Sequence, residues 1–282
     1  MDGVHIPLTA TRLRQWLVLV GPAMILLLGF YLYPLLKLVV LSLGAQVDLT
    51  AYGKLVGNDL FLTTLVRTFR ISAMVTAISL VLAYPVGYLL TRVGTRTAAV
   101  VMIAVLLPFW TSILVRTYAW MVLLQSNGLV NKLLAGLGVI THPLRLMYNE
   151  AGVTIGMVQI LLPFAILPIY ASLGNIDHRL HIAAQSLGAG AWQRFWRVTF
   201  PLSLPGVGAA AILVFVQGLG YFVTPALLGG SRVITLAMFM ESQVVEVLNW
   251  QLASAAAMVL LVLCVGIVGS FERWLGLERV WR

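Results

Sequence analysis

The sequence predicts an all-α integral membrane protein of six transmembrane helices. Three observations carry this reading: the composition, the lengths of the apolar runs and the sidedness of the basic residues. Of 282 residues, 61% are hydrophobic and only 10% charged. Mean hydropathy is +0.99, far from the balance of a soluble domain. A hydrocarbon core about 30 Å thick asks for about 20 mostly apolar residues per helix, at about 1.5 Å of rise each. Six stretches meet that length: 16–43, 67–90, 98–124, 151–173, 202–223 and 251–271. Backbone polar groups in lipid must pair within their own segment, and these runs lack the short alternation of a membrane barrel, so all six are expected to be helices.

Each span has its own marks. The first follows Arg12 and Arg14 and so resembles a secretory leader, but its apolar run is about twice the usual length of one, which predicts an uncleaved span. Lys37 lies within it, and Arg67 and Arg70 open the second. The third and fifth are the least cleanly bounded. The third contains Pro108 and the charged Arg116, and the fifth follows Pro201 and contains Pro205. The fourth pairs Gly152 with Gly156 at the spacing that lets membrane helices approach closely. The sixth holds Cys264, the only cysteine, so no intramolecular disulfide can form.

Orientation follows from Lys and Arg in the short loops. One side carries Arg12, Arg14, Arg92, Arg96, Arg179, Arg194, Arg197, Arg273, Arg279 and Arg282, whereas the other carries Lys54, Lys132, Arg145 and Arg232. This asymmetry predicts a cytoplasmic N-terminus over 1–15 and a cytoplasmic C-terminus over 272–282, flanking a membrane domain over 16–271. The same bias accounts for most of the net charge of +9, and no basic, aromatic-interleaved soluble domain exists, which argues against nucleic-acid binding. The outer loops 44–66, 125–150 and 224–250 are long and hold Asp48, Asp59, Glu150, Glu241 and Glu246. Glu241 and Glu246 are read as solvated loop charges, with attraction of cations to the outer mouth as the other reading. Only one inner loop, 174–201, is long.

Within that inner loop Leu187, Ala191, Phe195 and Val198 recur at helical spacing, with Trp192 and Trp196 one step round and Arg194 and Arg197 opposite. Gly188 and Gly190 interrupt the pattern, predicting two short helices at a bend where chain or partner backbone approaches closely. Pro201 and Pro205 mark the start of the fifth span. The amphipathic pattern serves equally for a helix lying on headgroups and for one docking on a protein.

Spacing narrows the choice. Ala183 and Ala184, three residues, Gly188, nine residues, then Val198, Thr199, Phe200 and Pro201 resemble the cytoplasmic "EAA" loop of permease subunits in binding-protein-dependent ABC importers. The family's glutamate position is Ile182, a departure that removes the carboxylate expected to face a partner arginine. The stretches 107–131, 143–164, 224–230 and 249–257 are similar to the spermidine/putrescine-type branch of that family. The resemblance implies the type I importer (MetI-like) fold with a cytoplasmic coupling helix, in a bacterial inner membrane. It implies Ile182, Ala183, Ala184, Gly188, Ala191, Phe195 and Pro201 as the coupling contacts. Implied partners are a second permease, expected to make a heterodimer, two ATP-binding subunits that hold ATP and magnesium, and a periplasmic solute-binding protein. No cofactor and no metal are expected in this chain. The residues agree on one point, since no GxxxxGK[ST] phosphate loop is present.

Other classes fit less well. An ion-coupled transporter usually places a carboxylate or broken-helix carbonyls near the midplane. No Asp or Glu falls inside the six spans, although Pro85, Pro108, Pro163 and Pro168 leave the broken-helix route open. His178 and His181 beside Asp177 imitate a metal pair but lack further ligands for a hydrolase, and read as solvated loop residues. For the solute pathway, Arg116 is costly in lipid by about 2.5–3.5 kcal/mol and should face the bundle, either as a hydrogen-bonding anchor or in the pathway. A polyamine suits ring faces better, at about 0.5–2 kcal/mol each. Trp110, Tyr118, Trp120, Tyr221 and Phe222 are the candidates, each equally readable as an interface-belt or core aromatic.

Overall fold

The computed structural model describes residues 10–44 and 48–275. The tails 1–9 and 276–282, with Arg279 and Arg282, lie outside the described residues. Within them every element is helical: α1 (Ala10–Leu43), α2 (Thr50–Val56), α3 (Asp59–Leu90), α4 (Thr95–Leu106), α5 (Ile113–Leu124), α6 (Leu129–Gly136), α7 (Glu150–Gly174), α8 (His178–Ser186), α9 (Ala191–Arg194), α10 (Phe200–Leu219), α11 (Leu236–Val245) and α12 (Trp250–Leu275). Among the described residues five helices are long and apolar enough to cross a membrane, and the count is six if one bent helix pair is taken as a single span. The first begins at Ala10 and the last runs to Leu275, so both extend past the boundaries expected at 16 and 271.

The core is a three-helix contact of α3, α7 and α10. On α3, Thr64, Thr68, Ser72, Thr76, Ser79, Ala83 and Gly87 recur every three or four residues and are all buried, which turns one face of the helix inward. Such small residues let backbones approach where lipid supplies no hydrophobic drive between helices. Gly218 of α10 shows the fit: a Cβ there would stand 3.0 Å from Ser72 Oγ. The threonines satisfy their hydroxyls inside their own helix, Thr68 donating to the Thr64 carbonyl and Thr76 to the Ser72 carbonyl at 2.7 Å. Ile71, Val75, Met157, Leu161, Ile169 and Val214 fill the space between.

A second cluster joins α2, the start of α3, α11 and α12 through Leu55, Phe61, Leu236, Phe239 and Ala256. The Thr68 hydroxyl accepts from the Leu236 N–H at 2.8 Å and fastens α11 to α3. Helix α1 packs on α12 at the edge of the molecule, with its apolar side chains exposed, the state expected of a lipid-facing helix. The outer loops are therefore largely built: α2 and the first turns of α3 occupy one, α6 the second and α11 the third.

The third and fifth spans differ from expectation in their course as well as their ends. The third span is not one helix, because Thr95–Trp110 and Ile113–Gly136 meet at 100° across Thr111 and Ser112. Pro108 lacks an N–H, the chain tightens into a 3-10 turn at Leu107–Trp110, and Thr111 turns extended at φ −94°, ψ 142°. The Thr111 N–H and hydroxyl both donate to the Pro108 carbonyl, which satisfies the freed backbone at the break. The fifth span starts earlier and ends sooner than 202–223. It is continuous over Ala191–Leu219, passing from α9 through a π turn at Phe195–Thr199 into α10. Pro201 cannot donate to Arg197, and the π turn absorbs that missing rung, so the proline sits inside a continuous helix near the start of α10.

Candidate coupling element and translocation face

Helix α8 begins where Asp177 accepts from the Arg179 N–H at 2.8 Å, an N-cap that fixes its first turn. It ends in a Schellman turn. The Gly188 N–H donates to the Gln185 carbonyl at 2.9 Å and the Ala189 N–H to the Ala184 carbonyl at 3.0 Å. Gly188 takes φ +80° to close this turn, a conformation that disfavours any side chain. No atom lies within 4 Å of the Cβ positions of Gly188 and Gly190. The bend therefore needs glycine for its backbone angle at 188, and among the described residues none of this chain's own backbone approaches either glycine closely.

Beyond the turn, the Arg194 guanidinium donates to Gln185 Oε1 at 3.1 Å and ties α9 back to α8. The Gly190 N–H bonds the Gln193 side chain at 3.3 Å, giving α9 its start. Leu187, Ala191, Phe195 and Val198 do not form one stripe, because the chain reverses between the first and the rest. Leu187 stands 88% exposed. Phe195 instead points to α3, its ring edge-on to Tyr84 at 6.0 Å and Tyr88 at 5.6 Å. It belongs to an aromatic group with Trp192, Trp196 and Phe200 that links the end of the coupling segment to the membrane core.

The residues expected to make the coupling contact thus fall into two sets. Ile182, Ala183, Gly188 and Ala191 are exposed around the α8 turn, and Ile182 is 54% exposed where the family pattern has glutamate. Ala184 is half-buried within the turn, Phe195 faces α3, and Pro201 lies exposed at the start of α10. His178 and His181 belong to α8 rather than to a loop. Burial, followed by the charges of Arg92, His178 and Arg194, holds the His181 imidazole below its ordinary pKa.

At the other end of the bundle the candidate pathway residues separate as well. Arg116, Trp120 and Tyr221 turn inward: Trp120 donates to Gln159 Oε1 of α7 at 3.3 Å, and Trp120 and Tyr221 both pack against the buried core. The Arg116 Nε is buried and has no hydrogen-bond partner among the described residues. Trp110 is 82% exposed, Tyr118 and Phe222 are exposed, and none of the three joins that inward group. A cavity of ≈560 Å³ opens beside Tyr118, lined also by Gln125, Arg145, Tyr148 and Arg232.

Glu150 of the second outer loop is paired. It opens α7 and bonds Arg70 and, at 3.4 Å, Arg67 of α3, whose guanidinium also donates to the Ile234 carbonyl at 3.4 Å. The two arginines at the start of the second span and the glutamate at the start of the fourth were the signal for this pair, but nothing local joins positions 80 apart. Asn131, equally unforeseen, is buried and clamps the α6 loop by bonding Gln125 and both backbone groups of Leu144.

Comparison with known proteins follows this geometry. Residues 83–272 match the family described as the binding-protein-dependent transport system inner membrane component. The chain belongs to that family. Among curated relatives it is similar to the spermidine/putrescine transport system permease protein PotB of Haemophilus influenzae, 34% identical over 216 residues that cover 77% of this chain and 76% of the relative. PotB of Escherichia coli is 32% identical over 203 residues, covering 72% and 74%. Among solved structures, a chain of a bacterial alginate ABC transporter in complex with an alginate pentasaccharide-bound periplasmic protein superposes with a TM-score of 0.77 at 18% identity, over 95% of this chain and 96% of that one. That likeness concerns the fold. The permease is accordingly a multi-pass inner-membrane subunit of an ABC importer, and its work is transport, not chemistry.

Proposed function

We propose that this permease, paired with a second permease chain, carries a polyamine such as spermidine or putrescine into the cell, powered by two ATPase subunits and supplied by a periplasmic binding protein. Both termini face the cytoplasm in this reading, and ATP and magnesium reside on the ATPase subunits. The observation that carries it is the exposed α8 turn. Leu180, Ile182 and Leu187 stand bare at 45%, 54% and 88% exposure on a segment that a glycine turn and the Gln185–Arg194 bond hold in one shape. A preformed apolar projection of this kind suits a groove on a partner. Ile182 makes that contact apolar where relatives of the pattern use a carboxylate, and the paired permease supplies any acidic contact.

Similarity to PotB supports the choice of solute. The ring faces of Trp120 and Tyr221 offer a cation attraction without trapping, whereas Arg116 serves as a positioning charge and not as a direct ligand. The exposed Glu241 and Glu246 raise the local concentration of cations at the outer mouth. The test is uptake by proteoliposomes containing the assembled transporter and its binding protein. ATP-dependent accumulation of labelled spermidine or putrescine is the expected result. Accumulation driven by an ion gradient without ATP would overturn the mechanism, and binding-protein affinity for a different solute would overturn the substrate.

A further inference from the structure

At the α8 end of the bundle, where the ends of α3 and α7 meet the start of α4, a cavity of ≈480 Å³ has no assigned role. Its rim carries Arg92, Thr95, His178 and His181, and its floor includes the apolar Leu90 and Leu173. No carboxylate lines it. The neighbouring acid, Asp177, is already engaged in capping α8. Arg92 lies over the Tyr88 ring at 5.0 Å, which holds its charge at the rim. Helix α4 starts at Gly94 without a side-chain cap, so the free N–H groups of its first turn, where Thr95 stands, add to the positive field.

We propose that this cavity binds a phosphate-bearing anion, either the headgroup of an anionic phospholipid or free phosphate. A basic pocket between membrane helices with an apolar floor is the arrangement that receives acidic headgroups, the rim meeting the phosphate and the floor the glycerol and upper acyl chain. Helix α8 supplies two of the four polar rim residues while α3 and α4 border the rest, so occupancy ties the coupling turn to the membrane core. The site is built from this chain alone and stands apart from the choice of transported solute.

The test uses the full-length chain purified in neutral detergent. Native mass spectrometry after incubation with phosphatidylglycerol or phosphatidylcholine reads lipid retention, and equilibrium dialysis with labelled inorganic phosphate reads the soluble source. Selective retention of phosphatidylglycerol, reduced about fivefold by Arg92→Gln, identifies the lipid source. Phosphate uptake lost in Arg92→Gln, without selection between the lipids, identifies the soluble one. A second variant, His178→Gln with His181→Gln, should weaken the same binding and covers the case in which Arg92→Gln fails to fold. Equal retention of both lipids with no phosphate uptake, or binding unchanged in both variants, overturns the proposal.

Discussion

Arg194 reaches back across the Gly188 turn to Gln185, guanidinium to side-chain oxygen at 3.1 Å, so that the last turn of α8 and the first of the fifth membrane helix are held as one unit. The bond ties α8 to the helix that carries Phe195, whose ring meets Tyr84 and Tyr88 of α3. Gln185→Ala removes the acceptor. An exposed hydrogen bond to a charge is worth about 0.5–1 kcal/mol, so amide exchange at residues 187–190 should accelerate about two- to fivefold. Unchanged exchange would mean that the Schellman turn alone sets the geometry.

Gly188 offers a sharper lever, because open space surrounds it and only its φ of +80° demands glycine. Gly188→Val costs about 1–2 kcal/mol in that conformation and so opens or reshapes the turn. Membrane insertion should persist while substrate-stimulated ATP turnover in the assembled transporter falls at least tenfold. Gly188→Asn, which tolerates left-handed backbone, should retain more activity. Equal loss in both variants would point to bulk instead of backbone.

Glu150 holds Arg67 and Arg70 at the start of α7, with its side chain about three-quarters buried. Glu150→Gln leaves two cations facing each other without a counter-charge. The expected cost is about 1 kcal/mol for a part-exposed cluster, seen as a lower thermal midpoint of the detergent-solubilised protein. The double variant Glu150→Gln with Arg67→Gln should recover part of it, and absence of any recovery would exclude coupling through this pair.

Helix contacts give a contrast between two glycines. A Cβ on Gly206 would stand 2.7 Å from the Pro168 carbonyl oxygen of α7, whereas none of the surroundings of Gly266 in α12 comes within 4 Å. Gly206→Leu should separate α7 from α10 and cost about 1–3 kcal/mol, with reduced yield of folded protein. Gly266→Ala should be neutral or stabilising by up to about 1 kcal/mol, since it only adds helix propensity. Similar midpoints for the two variants would contradict the packing described.

Local composition alone makes the chain helical, sets how many times it can cross a membrane and marks the glycine turn after α8. Apolar length decides partition into lipid, and lipid then demands helix, so both follow from local composition. Gly188 and the alanines before it likewise mark a turn whose hydrogen bonds span only a few residues. Tertiary structure alone decided three things: the 100° break at Thr111 and Ser112, the continuity of the helix through Pro201, and the burial of Glu150 between two arginines. In each, the outcome depends on where a freed backbone group or a charge finds its partner. Proline marks a missing donor but not whether a π turn or a sharp bend will absorb it. Charges 80 residues apart become neighbours only once α3 and α7 have packed.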